Sequence, residues 1–95
     1  FKIARVCNHA LKNKTSVTSV TIGKNVTAIG KEAFYGAKNL KTITISSTKL
    51  TKVEEKAFGK ISAKAKIVVP AAKLSAYKKL LKGKGQAKTV TITKQ

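Results

Sequence analysis

Ninety-five residues suit one small domain with a thin, elongated core and are too few for two domains. Twenty Lys and one Arg against three Glu and no Asp give a net charge of +18, which raises affinity for nucleic acid, acidic polysaccharide, teichoic acid or an anionic membrane surface. No apolar run approaches membrane-spanning length, so no segment is expected to cross a bilayer.

Taken in chain order, the apolar residues repeat. Val17-x-x-Val20-x-Ile22 alternates apolar and hydroxyl positions, as a half-buried strand does. The same strand returns as Leu40-x-x-Ile43-x-Ile45, again around Ile67 and Val69, and finally around Val90 and Ile92. Ile22, Ile45, Val69 and Ile92 form one column with steps of 23, 24 and 23, and Val20, Ile43, Ile67 and Val90 form a second. Between strands, Val26, Leu50 and Leu74 step by 24, as do Ile29, Val53 and Tyr77, and Ala33, Ala57 and Leu81. Phe34 recurs as Phe58, with Lys82 in the third copy. The spacing Val26-x-x-Ile29-x-x-x-Ala33-Phe34 reads as a short helical turn, too short to be stable without packing against its neighbours. Stepping back by 23 reaches Ile3, Val6, Ala10 and Leu11, so the first unit is expected to lack its strand. The one-residue change of period falls where Gly23-Lys24-Asn25 becomes Ser46-Ser47-Thr48-Lys49, and is expected to be absorbed by a surface turn.

The last unit differs. Pro70 opens a longer helical segment and Gly83 closes it, the usual order of start and stop signals. Leu74, Tyr77, Leu80 and Leu81 fall on one side and Lys78, Lys79 and Lys82 on another, as a capping repeat with a polar outer face requires. The expected organisation is one repeat domain over 1–95: a partial repeat at 1–16, repeats at 17–39 and 40–63, and a capping repeat at 64–95. A period of this length predicts a solenoid, in which each unit buries its apolar side only by stacking.

The units at 17–37 and 40–58 resemble the BspA-type bacterial leucine-rich repeats, whose pattern runs L-x-x-I-x-I, then V-x-x-I-G-x-x-A-F-x-x-C. Ala37 stands in place of the usual Cys, and Glu54 replaces the glycine found at Gly30. The resemblance implies a leucine-rich-repeat-like solenoid with short parallel strands on the concave side, short helical turns and one longer C-terminal helix. It also implies a secreted or cell-surface bacterial protein whose repeats bind other macromolecules or space out other domains. The broken first unit and the initial Phe1 suggest a fragment or a processed chain.

Two candidate surfaces follow. Stacked strands would align Ser19, Thr42, Lys66 and Thr89 in one row and Thr21, Thr44, Val68 and Thr91 in the next, a hydroxyl-rich face for a protein or glycan partner. Such Thr residues also suit a half-exposed strand without any ligand. The densest basic stretch is residues 60–88, where Lys78, Lys79, Lys82, Lys84 and Lys88 would bind polyanions by charge density alone, with steep salt dependence. Lysines spread through every unit also serve solubility without any ligand. With Arg5 the sole arginine and Phe34 and Phe58 at core positions, specific nucleic-acid recognition is not expected. The open first unit offers an edge where a second copy could pair. A passive spacer is the third class.

An enzyme is not expected. His9 is the only histidine, Cys7 the only cysteine, and Glu54 and Glu55 are adjacent rather than opposed. Glu32 aligns with Lys56 and reads as a solvated position. One His, one Cys and three scattered Glu give no metal-ligand spacing, and no glycine-rich phosphate loop opens a helix, so no cofactor is expected.

Overall fold

The computed structural model describes residues 2–3, 8–85 and 89–94. Each Thr/Val/Ile run becomes a strand of one five-stranded sheet, β2 (Ser19–Ile22), β4 (Thr42–Ile45), β6 (Lys66–Val69) and β7 (Thr91–Lys94), which β1 (Lys2–Ile3) joins at one edge. They are hydrogen-bonded in chain order, and every pairing is parallel. Parallel neighbours need a crossover between them, and here the crossover is the rest of each coil. A second sheet, β3 (Ala28–Ile29) with β5 (Lys52–Val53), forms within that crossover. It was not foreseen in the sequence, where those residues carry helical spacing.

The inward column holds through three strands. Val20 pairs with Ile43 and Ile43 with Ile67, while Ile22 pairs with Ile45, and all five are buried. At the last strand the register slips by two residues. Ile67 pairs with Ile92 and Val69 with Lys94, in place of the expected Val90 and Ile92. Because side chains alternate with a period of two, the slip keeps Ile92 on the core side, where it packs half-buried. At the other end Ile3 pairs with Ile22, so the first unit has a strand after all, reached with a 19-residue step in place of the missing element expected there.

The stretch expected to be a helical turn is a run of β-turns. Ala33, Tyr35 and Ala37 donate their amides to the carbonyls three residues back, whereas Glu32, Phe34 and Gly36 donate theirs to Glu55, Ala57 and Gly59 of the next coil. A helix would spend every amide within itself; this arrangement spends alternate ones on stacking. It needs left-handed backbone at fixed places: His9, Glu32 and Lys56 form one column of positive φ, and Asn13, Gly36 and Lys60 another. Inside the stack, Phe34 and Phe58 are buried with ring centroids 5.5 Å apart and planes 13° apart. The third step breaks the period here too. Phe58 donates to the carbonyl of Lys84, so Gly85 stands where a third Phe would and Lys82 is exposed outside the column. A side chain at Gly85 would run into the backbone of Gly59 and Lys56.

The last coil contains a 3-10 turn (Ala71–Lys73) leading into α1 (Leu74–Leu81). As expected, Pro70 precedes the segment and Gly83, at φ +71°, follows its cap. Tyr77 and Leu81, one helical turn apart, are buried, with Leu74 and Leu80 partly so. The Tyr77 hydroxyl donates to the Ser47 carbonyl at 2.9 Å and accepts from the Leu50 amide at 3.1 Å. Ser47 is itself fully buried; its hydroxyl donates to the Val26 carbonyl at 2.5 Å and accepts from the Lys49 amide at 3.0 Å. The inserted residue is therefore no slack in a surface turn. It lies in a segment that ties three successive coils together.

The molecule measures 30 × 25 × 21 Å, with a radius of gyration of 11.4 Å. The expected elongated core is absent, because five strands at ~4.8 Å spacing stack to a height of only ~19 Å between the outer two.

Candidate functional site

The outward positions of the five-stranded sheet form two rows. Ser19, Thr42, Lys66 and Thr91 lie side by side in the first, and Thr21, Thr44, Val68 and Thr93 in the second. The slip at β7 corrects the expected membership. Thr91 moves into the first row, Thr93 enters the second, and Thr89 lies ahead of the strand, where its hydroxyl donates to the Ala63 carbonyl at 2.6 Å. Thr93 was missed because a constant period points away from it.

These rows are accessible and uncommitted. Ser19, Lys66 and Thr91 are exposed, and Thr21, Thr42, Thr44 and Thr93 half-buried. None of the six Ser and Thr hydroxyls makes a hydrogen bond to another described residue, in contrast to Ser47, Thr51 and Thr89. Beside the first row, Ser16, Val17, Thr18 and Ser19 line an open cleft of ≈ 350 Å³. The Lys41 amide donates to the Thr18 carbonyl and the Lys66 amide to the Lys41 carbonyl, both at 2.8 Å, so these two lysines occupy adjoining backbone positions at the N-terminal lip of the sheet.

The basic cluster on the last coil is partly assembled. Lys78 and Lys79 are exposed in the last turn of α1, where cations suit the helix dipole, and Lys82 is exposed just beyond. Lys84 is half-buried, and its charge acts on Glu54. Lys88 lies outside the described residues, as do Phe1, Arg5 and Cys7.

All three carboxylates sit away from the five-stranded sheet, in the turns and beside β5, and each has a cation. Glu54 lies 2.8 Å from Lys52, and Glu55 lies 3.6 Å from Lys31. Glu32 lies 2.9 Å from His9 Nε2 and 3.3 Å from Lys12 Nζ. The Glu32 side chain is only 17% exposed, so it is not the solvated position expected from its alignment with Lys56. Burial alone would push its carboxyl upward, but the hydrogen bonds and charges of His9 and Lys12 outweigh this and hold it below the ordinary carboxylate range. The Lys52 hydrogen bond likewise holds Glu54 low, against partial burial and with help from the charges of Lys52, Lys84 and Lys31. Tyr35 sits on this same turn stack, its ring 5.7 Å from Lys12 Nζ and 5.5 Å from Lys60 Nζ.

Among the described residues, no three His, Cys, Asp or Glu side chains gather as a metal site, and no helix is long and apolar enough to cross a membrane. What the arrangement offers is a surface: a regular, hydroxyl-rich sheet face with cations at its lip and every acid elsewhere.

No curated protein and no solved structure gives a significant match to the chain. A family model described as BspA type Leucine rich repeat region (6 copies) matches residues 2–95. Leucine-rich repeats of this kind are generally binding modules rather than enzymes, and they build repeat solenoids. With one parallel strand per coil and a match over nearly its whole length, the chain belongs to the BspA-type leucine-rich repeat family.

Proposed function

We propose that this chain is a non-catalytic binding or adhesion module of a secreted or cell-surface bacterial protein, and that it presents the outward face of its five-stranded sheet to a macromolecular partner. One observation carries this reading: six hydroxyls stand in register on that face with no bond to the rest of the described structure. Thr suits any half-exposed strand, but a purely structural Thr also commonly bonds its own neighbours, as Thr51 and Thr89 do here. Two rows of free hydroxyls, joined by Lys66 in the first, are suited to repeated contacts along an extended partner. The family membership and the surface location that BspA-type repeats typically have support the setting.

A second reading has its own observation. Lys78, Lys79 and Lys82 form an exposed cationic end on α1 and could hold the parent protein to an anionic wall or matrix. The two are separated by measuring binding to immobilised matrix proteins and polysaccharides at 20 and 150 mM salt. Wild-type chain is compared with Thr21→Phe/Thr44→Phe, which crowds the sheet face without adding charge, and with Lys78→Gln/Lys79→Gln/Lys82→Gln. Binding that survives 150 mM salt and is lost only in the sheet-face variant supports the first reading. Binding seen at 20 mM but not at 150 mM salt, and lost only in the helix variant, supports the second. No binding by any form leaves the repeats as a spacer and overturns both.

A further inference from the structure

We propose that the lip and outward face of the five-stranded sheet bind an acidic polysaccharide, a polyhydroxylated chain bearing carboxylates such as a polyuronate; this rests on the sheet face being the binding surface. Three observations converge. The first is how charge is sorted. The protein has three acidic side chains against 21 basic ones, and each acid is paired in the turns or beside β5. Lys41, just before β4, Lys66, the first residue of β6, and Lys64, two residues ahead of it, are exposed and have no acid among the described residues to neutralise them. A cationic lip of this kind attracts a polyanion by charge complementarity.

The second is what flanks those cations. Ser19 and Thr42, and Thr21 and Thr44, stand side by side on neighbouring strands about 4.8 Å apart, with Lys66 and Val68 next in the two rows and Thr91 and Thr93 beyond them. Each hydroxyl can donate one hydrogen bond and accept two, the pattern that a sugar's own hydroxyls complement. The third is what the face lacks. Phe34, Phe58 and Tyr77 are buried, and Tyr35 is on the turn stack between Lys12 and Lys60. Among the described residues, no aromatic is left on the sheet face to stack a base, and no arginine is there to fork onto a phosphate or guanine. Ammonium groups with neutral hydroxyl rows favour a carboxylated sugar chain over a nucleic acid.

The test uses the full chain and a fluorescein-labelled oligogalacturonate of about ten sugars, read by anisotropy at 20, 75 and 150 mM salt. The methyl-esterified oligomer removes the carboxylate charge and keeps the sugar. The ester is expected to bind at least tenfold more weakly. Lys41→Gln/Lys66→Gln is expected to bind at least fivefold more weakly, with the salt slope of log K reduced by about 1.4 for the two lysines. Thr42→Val/Thr44→Val keeps the β-branched shape and is expected to lose at least threefold at unchanged salt slope. Lys78→Gln/Lys79→Gln/Lys82→Gln should stay within twofold. Urea midpoints, expected to match wild type, show that each variant is folded.

Absence of binding at 20 mM salt overturns the proposal. So does a loss that follows the number of lysines removed regardless of place, or a Thr variant that binds like wild type. If oligogalacturonate fails while a matrix protein still depends on the sheet face, the polysaccharide assignment falls and the functional reading stands. If nothing depends on that face, both fall.

Discussion

Replacing Tyr77 by Phe removes one oxygen atom and leaves the ring. That oxygen is 2% exposed as part of its residue and bridges the Ser47 carbonyl and the Leu50 amide. Without it, both backbone groups are left in a dry interior, and each unsatisfied group costs ~1–3 kcal/mol. Partial relaxation brings the expected loss to about 2–4 kcal/mol, against a total of roughly 5–14 kcal/mol for a chain of this length. With a urea m-value of ~1.5 kcal/mol/M, the midpoint falls by about 1.3–2.7 M. Equilibrium urea unfolding followed by far-UV circular dichroism reads this directly. Ser47→Ala tests the other half, because its hydroxyl bonds Val26 and Lys49 while its carbonyl receives Tyr77. The two substitutions share a segment, so the double variant should lose less than the sum by at least ~0.5 kcal/mol. A Tyr77→Phe midpoint within about 0.3 M of wild type would refute the idea that this hydroxyl fastens the helix to the coils beneath it.

Phe34→Ala and Phe58→Ala each empty a fully buried position of the ring stack and should cost ~3–5 kcal/mol, seen as a large midpoint loss or failure to fold. Gly59→Ala places a methyl against the Tyr35 ring; overpacking of this kind costs about 1–3 kcal/mol, and Tyr35→Ala should relieve part of it in a double variant. Acid sensitivity follows from Glu32. Its folded pKa is depressed, so its contribution is present above the ordinary carboxylate pKa and is lost as pH falls through the depressed value. Glu32→Gln should therefore lower the midpoint at pH 7 and narrow the gap to wild type at pH 3. An unchanged gap would show that the His9–Glu32–Lys12 cluster adds nothing. Lys52, raised chiefly by its hydrogen bond to Glu54, contributes in the opposite range: its share is present below pH 10.5 and lost as pH rises through the raised value.

The strand columns were legible because an inward Val or Ile every second residue, copied at 23 or 24, leaves β2, β4 and β6 only one sensible register. The same alternation hid the slip at β7. A two-residue shift returns the same face to the core, so the pattern of Val90 and Ile92 cannot distinguish 23 from 25. The helix α1 breaks the constant period that the columns assumed. The turn stack was unreadable for another reason: His9, Glu32 and Lys56 carry positive φ without being glycine, so composition gives no sign of the left-handed backbone that converts helical spacing into turns. Ser47 looked like an insertion because its role depends on a tyrosine 30 residues away. For the site, the hydroxyl rows were visible from spacing. The sorting of acids away from them was not, since that follows from where each coil turns.

The measurement that bears most directly on the binding face is an amide chemical-shift footprint with whichever panel member binds most tightly. Shifts are expected to concentrate at residues 16–21, 41–44, 64–68 and 91–93, the strand face and its lip. Shifts concentrated instead at 31–36 and 55–60, the turn stack, or at 78–82 on the terminal helix, would contradict this placement.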